Sequence, residues 1–136
     1  MQAWTGSFRK TDVQILFRRR CDNGLMTDVE LTRALERGQI PNEGFHHIDH
    51  LRVAWVYLAE SATVDEAIRR MAGTLRGFAA AVGKPDKYSD PLTAFWMYQM
   101  AAARALMPGA DCGAILARFP HLSDKTFALS LPAGVQ

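Results

Sequence analysis

The sequence predicts an all-α fold, a compact bundle of four to five helices. Three observations predict it: recurring helix-capping patterns, apolar residues spaced three and four apart, and short polar links between the segments that carry them. Each amphipathic segment leaves an apolar stripe that must be buried against a neighbour, and short links favour antiparallel packing. The 136 residues are read as a single helical domain, 1–136, whose segment 1–26 is poorly defined. There DVQILF alternates Val13, Ile15 and Phe17 as a strand does, while Thr11 and Asp12 equally suit the start of a short helix.

Thr27 three residues before Glu30 forms a capping-box pattern, followed by Val29, Leu31, Ala34 and Leu35, and this first helix should stop near Gly38. Pro41 confirms the break, because it restrains Ile40 away from helical geometry. Asn42 can then cap a second helix whose stripe is Ile48, Leu51, Trp55 and Leu58, running to about Glu60. Thr63 and Glu66 cap the third, whose Val64, Ile68, Met71, Leu75, Phe78 and Val82 make a near-heptad seam ending at Gly83. Ser89 or Asp90 caps the fourth, with Pro91 at its first position and Leu92, Phe95, Trp96, Met100 and Ala103 inside. Pro108 and Gly109 end it, a shorter helix spans about Asp111 to Arg118, and after Pro120 a last turn begins near Ser123 or Asp124.

Hydrophobic residues at 49% and charged residues at 22% argue for a real core and against extensive disorder. A net charge of +2 names no partner. Cys21 and Cys112 stand far apart without C-x-x-C spacing and read as reduced thiols. No apolar run reaches the roughly 18 to 20 residues of a membrane span, and the N-terminus lacks a signal-peptide core, so no membrane association and a cytoplasmic location are expected. Arg18, Arg19 and Arg20, with Arg9 and Lys10, form a basic group, and Arg69, Arg70 and Arg76 add a basic edge. Without a zinc finger or RNA-binding signature beside them, a solvated face explains them better than nucleic acid.

The chemistry-bearing feature is NEGFHHIDHLRVAW, residues 42–55, which crowds His46, His47 and His50 into five residues. At about 100° per residue, His47 falls on the side of the apolar stripe, His50 at its border and His46 slightly beyond. Asp49 points away from them, toward solvent, an arginine or another helix. Glu43 lies three before His46 and four before His47, separations at which helical side chains meet. Imidazoles at such spacing can converge on a divalent metal ion, giving His47, His50 and His46 as candidate ligands. They can equally serve a metal-free pocket as proton donors and acceptors, since the pKa of His lies nearest physiological pH. A purely structural role competes with both: His47 bonded to a backbone carbonyl, His46 and His50 facing water. H-E-x-x-H is absent, and the single E-x-x-H lacks the second copy that a di-iron bundle needs. Phosphate-loop glycines and a G-x-S-x-G elbow are absent as well.

FHHIDHLRVAW taken with DKYSDPLT resembles an uncharacterised group of small bacterial helical proteins that carry F-x-H-x-D-H-x-x-x-A-W and a later K-Y-H-x-T. Phe45, His47, Asp49, His50, Ala54 and Trp55 meet the first pattern, and the resemblance covers residues 45–127. Lys87 and Tyr88 meet part of the second, but Ser89 stands where the group has histidine. The resemblance implies a polar pocket between the second and fourth helices, in which this chain uses Asp90, Tyr88 or His46 instead or has lost the chemistry. It brings no settled activity.

FWMYQM, residues 95–100, reads chiefly as core packing, and Tyr57 and Tyr98 each need a hydroxyl partner if buried. These residues lead to an expectation of a small-molecule enzyme working by general acid/base or metal-assisted chemistry. His47, His50 and Asp90 are its candidate catalytic residues, and His46, Tyr57, Tyr88, Trp55 and Trp96 its candidate substrate-binding residues. The alternative is a non-catalytic helical module that dimerises, or binds a ligand or partner, through the third-helix seam or the fourth-helix aromatics.

Overall fold

The computed structural model describes residues 26–130, so the expectations for the N-terminal segment, Arg18 to Arg20 and Cys21 fall outside the described residues. Within this range the chain is all-α. Five α-helices follow one another: α1 Asp28–Glu36, α2 His47–Glu60, α3 Val64–Ala81, α4 Asp90–Leu106 and α5 Cys112–Arg118. Short 3-10 turns occupy Asn42–Gly44, Pro85–Lys87, Pro120–Ser123 and Lys125–Ser130. Helix α2 is the hub, packed against α1, α3, α4 and α5.

The helix ends sit where the sequence signals them. Thr27 and Glu30 form a complete capping box, with Thr27 N–H donating to Glu30 Oε1 at 2.9 Å and Glu30 N–H donating to Thr27 Oγ1 at 3.1 Å. Thr63 Oγ1 accepts from Glu66 N–H at 3.1 Å, and Asp111 Oδ1 accepts from Ala114 N–H at 2.8 Å. Helix α3 ends in a left-handed glycine: Gly83 has φ 77°, and the Gly83 and Lys84 amides close on Ala80 O and Ala79 O at 3.0 and 2.8 Å. Ser89 caps α4, accepting from Leu92 N–H at 3.3 Å, so Asp90 takes the first helical position and Pro91 the second.

Helix α2 departs from expectation at its start. Asn42 does not cap it; residues Asn42–Gly44 close a separate turn through Gly44 N–H to Pro41 O at 3.0 Å. Phe45 and His46 are then extended, at φ −115°, ψ 102° and φ −106°, ψ 175°. The buried Phe45 ring packs on Phe78 with centroids 5.2 Å apart and anchors this extended entry to the helix. The helix begins only at His47, where the Asp49 carboxylate accepts from His46 N–H at 3.0 Å. Glu43 therefore lacks the helical spacing to His46 and His47 assumed for it.

Helix α2 is also buried on more than one face. Leu51, Ala54 and Leu58 are interior as expected, but so are Val53, Val56 and Tyr57, because helices lie on several sides of α2. Ile48, expected inside, is 40% exposed. Of the α3 seam, Met71 and Leu75 are buried in the core with Met97 and Met100 of α4. These two seam residues are spent on internal packing. Full burial of Leu31, Leu51 or Ile115 contributes about 1.5–3 kcal/mol each. The chain after α5 folds back over α2, burying Leu122 and Ala128.

Candidate functional site

An open cavity of about 920 Å³ lies where the start of α2 meets the second half of α3, the first half of α4 and the C-terminal turns. Its floor is apolar: Leu51 and Ala54 from α2, Met71 and Leu75 from α3, and Met97 from α4. Phe45, Phe78 and Trp96 form aromatic walls. This volume and character fall in the range of small-molecule sites. Phe78 and Val82, only half-buried despite their place in the α3 seam, owe their exposure to this opening.

All three clustered histidines border the cavity. His47, in the first turn of α2, is half-buried; its Nε2 lies 2.8 Å from Leu122 O, and its ring meets Trp96 edge-on with centroids 4.5 Å apart. A carbonyl only accepts, so Nε2 carries the proton and, in the neutral ring, Nδ1 keeps the lone pair. His50 has the opposite tautomer: Nδ1 donates to His46 O at 3.1 Å, leaving the lone pair on Nε2, and its ring lies 4.4 Å from that of Phe45. Burial lowers the pKa of both below the ordinary histidine value and outweighs the opposing carbonyl bonds. Lys125 adds to the lowering at His47, and the charge of His47 adds to it at His50. Both rings are neutral near pH 7. His46 is exposed at the rim.

Asp49 is 2% exposed and turned from the cavity, as its helical angle implied. Its Oδ1 lies 3.6 Å from Arg52 Nη1, and Arg52 also donates to Asp28 Oδ1 at 2.6 Å. This carboxylate starts a helix and balances an arginine.

Several expected site residues lie elsewhere. Asp90 is exposed and outside the cavity wall, its Oδ1 taken by Arg76 Nη2 at 2.9 Å and Tyr88 OH at 2.6 Å. These two donors hold its carboxyl below the usual range, and helix position turns it outward. Tyr57 is sealed among α1, α2 and α3, donating to Glu36 Oε2 at 2.5 Å and meeting Thr74 Oγ1 at 2.7 Å. Burial, then the Glu36 contact, push its phenol up to about 12. Trp55 packs against the core away from the cavity, its Nε1 without a partner among the described residues. Tyr88 and Trp96 do line the cavity, although the Tyr88 hydroxyl is committed to Asp90. Ser89, standing at the histidine position of the second motif, lines it too but uses its hydroxyl as a helix cap.

The metal expectation is not met by the geometry: among the described residues no three His, Cys, Asp or Glu side chains gather as a metal site. His47 and His50 each keep one ring nitrogen off their carbonyl bonds, and His46 sits outside the helix on extended backbone. Cys112 is buried, its thiol pushed up to about 12 by burial, which suits a packing role. Of the α3 basic edge, Arg70 is bound to Glu60 and Arg76 to Asp90.

Sequence reasoning gave no site role to Lys84, Lys87, Lys125, Asp124 or Thr126, all on the cavity rim. Asp124 Oδ1 accepts from Thr126 Oγ1 at 2.6 Å and Thr126 N–H at 2.9 Å, and these bonds lower its pKa. The turn chemistry of SDKT was a local signal; its meeting with His47 was not. No family model, curated protein or solved structure matches this chain.

Proposed function

We propose that the cavity binds a small, largely apolar organic molecule, and that His47 and His50 serve it as neutral imidazoles, each able to accept a proton at one defined nitrogen. The observation that carries this reading is that two rings of opposite tautomer border one apolar hollow, each oriented by a main-chain carbonyl. A neutral imidazole of lowered pKa held at a fixed angle is the equipment of a general base, and once protonated it can return the proton as an acid. Proton transfer within a bound organic molecule, without a metal, is the chemistry these residues fit. Recognition of the molecule by the same nitrogens, with no turnover, uses the same geometry.

The test is imidazole NMR on the 15N-labelled protein with small apolar acids, alcohols and amines. Cavity binders should move Trp96 together with His47 Nδ1 or His50 Nε2. Binders that move Trp96 while leaving both imidazoles unshifted would sink the role of the histidines. For any substrate found, His50→Ala should lower turnover or affinity while the helical spectrum is retained.

A further inference from the structure

We propose that the molecule this cavity takes is an amphipathic anion, an apolar chain or ring ending in one carboxylate-type group, with the head at the lysine rim and the body on the floor between α2, α3 and α4. The inference rests on the reading of the cavity as a small-molecule site. Its ground is the charge of the wall. Lys84, Lys87 and Lys125 line the cavity, and Asp124 is the sole acid among the lining residues. Of the neighbouring acids, Asp86 is off the wall, and Asp90 is spent on Arg76 and Tyr88. Among the described residues none of the three lysines makes an ion pair.

His47 and His50 on the wall add no formal charge near pH 7, because burial holds them neutral. Three positive groups against one negative group thus stand over a floor of leucine, methionine and alanine. A low-dielectric floor strengthens the field of charges at its edge, so an anion bound there is screened less than on an open surface. The rim also argues for a singly charged head. Its cations are exposed lysines, which act as separate point charges, whereas polyphosphate sites draw on forked arginines and glycine-rich backbone. Arg76, the nearby arginine, already holds Asp90.

Three probes of equal length decide it: octanoate, octanol and octyltrimethylammonium, titrated into the whole protein at low salt. Amides of residues 84 and 86–89 and the Trp96 indole are followed by NMR. Octanol partitions from water into apolar surroundings more readily than octanoate, so a hollow without useful charge ranks the alcohol first. We expect the reverse, with octanoate about tenfold tighter than octanol and the cation weakest, a preference that fades with added salt. In the K84Q/K87Q/K125Q variant, which changes exposed side chains only, the preference should fall below about threefold while octanol affinity stays the same. Octanol or the cation binding at least as tightly as octanoate would overturn the anion inference and leave the small-molecule reading standing. A preference kept in the triple variant would overturn the lysine assignment. If none of the three probes moves the cavity signals, the small-molecule reading itself fails.

Discussion

His47 holds its Nε2–H on a carbonyl seventy-five residues further along the chain, and that bond has a measurable consequence. Burial lowers the pKa of His47 and His50 below the ordinary histidine value of 6.5, so the unfolded chain takes up protons that the native protein refuses as pH falls through that value. The associated stability is complete above pH 6.5 and drains as pH drops toward the folded pKa values. Thermal melts followed by circular dichroism should therefore show a midpoint that falls as pH drops from about 7 through 6.5. This window lies above the one in which Asp90 and Asp124, whose pKa values are lowered, lose their contribution. His47→Gln, which keeps an amide donor for Leu122 and removes the titration, should flatten that slope. An unchanged slope would place the titrating groups elsewhere. The motif residues also divide by task at this scale. Phe45 anchors the extended entry and faces His50, Asp49 starts the helix and pairs with Arg52, and Ala54 leaves room on the cavity floor.

Among the elements, the end of α3 bears most directly on the site. Gly83 at φ 77° lets the chain leave the helix in a left-handed turn and run straight into residues 84–89, which supply part of the rim. A Cβ there meets no neighbouring atom, so the cost of Gly83→Ala comes from backbone conformation alone, about 1–2 kcal/mol. Urea denaturation should record that loss, and binding of an anionic probe should weaken with it because Lys84 and Lys87 are displaced. A neutral effect on both would mean that the turn can be made another way. Helices α1, α3, α4 and α5 were legible almost to the residue, because caps and terminal glycines are local devices whose partners lie within a few positions. The start of α2 was not. Asn42 after Pro41 is a sound local cap signal, but the burial of Phe45 against Phe78, thirty-three residues away in sequence, outweighs it.

For the molecule as a whole, α1, α2 and α3 are tied by one polar network at the end that carries Glu60. Arg33 bonds Glu36 at 3.1 Å and also pairs with Glu60, Arg70 bonds Glu60 at 3.1 Å, and the Arg70 guanidinium lies 4.5 Å over the Tyr57 ring. The Tyr57 hydroxyl joins Glu36 of α1 to Thr74 of α3. Tyr57→Phe leaves both without that partner and should cost about 1–3 kcal/mol in denaturant unfolding. Probe binding should be untouched, since Tyr57 is off the cavity wall. Lost binding with unchanged stability would restore the ligand-contact role first expected of this residue.

The chain's own pattern determined the all-α architecture, the order of its helices and the turn in which the histidines gather, because periodicity and capping act over three or four residues. It also singled out His47. What only the tertiary structure decided was which side chains share a space. Leu122 O reaches His47, the lysines of two distant turns meet at one rim, Tyr57 is locked into a helix junction, and Asp90 turns to solvent. Helical spacing gives the angle of a side chain about its own axis, but not which neighbouring helix lies along that direction. That choice comes from burying several apolar faces at once, and it belongs to the whole bundle rather than to any one segment.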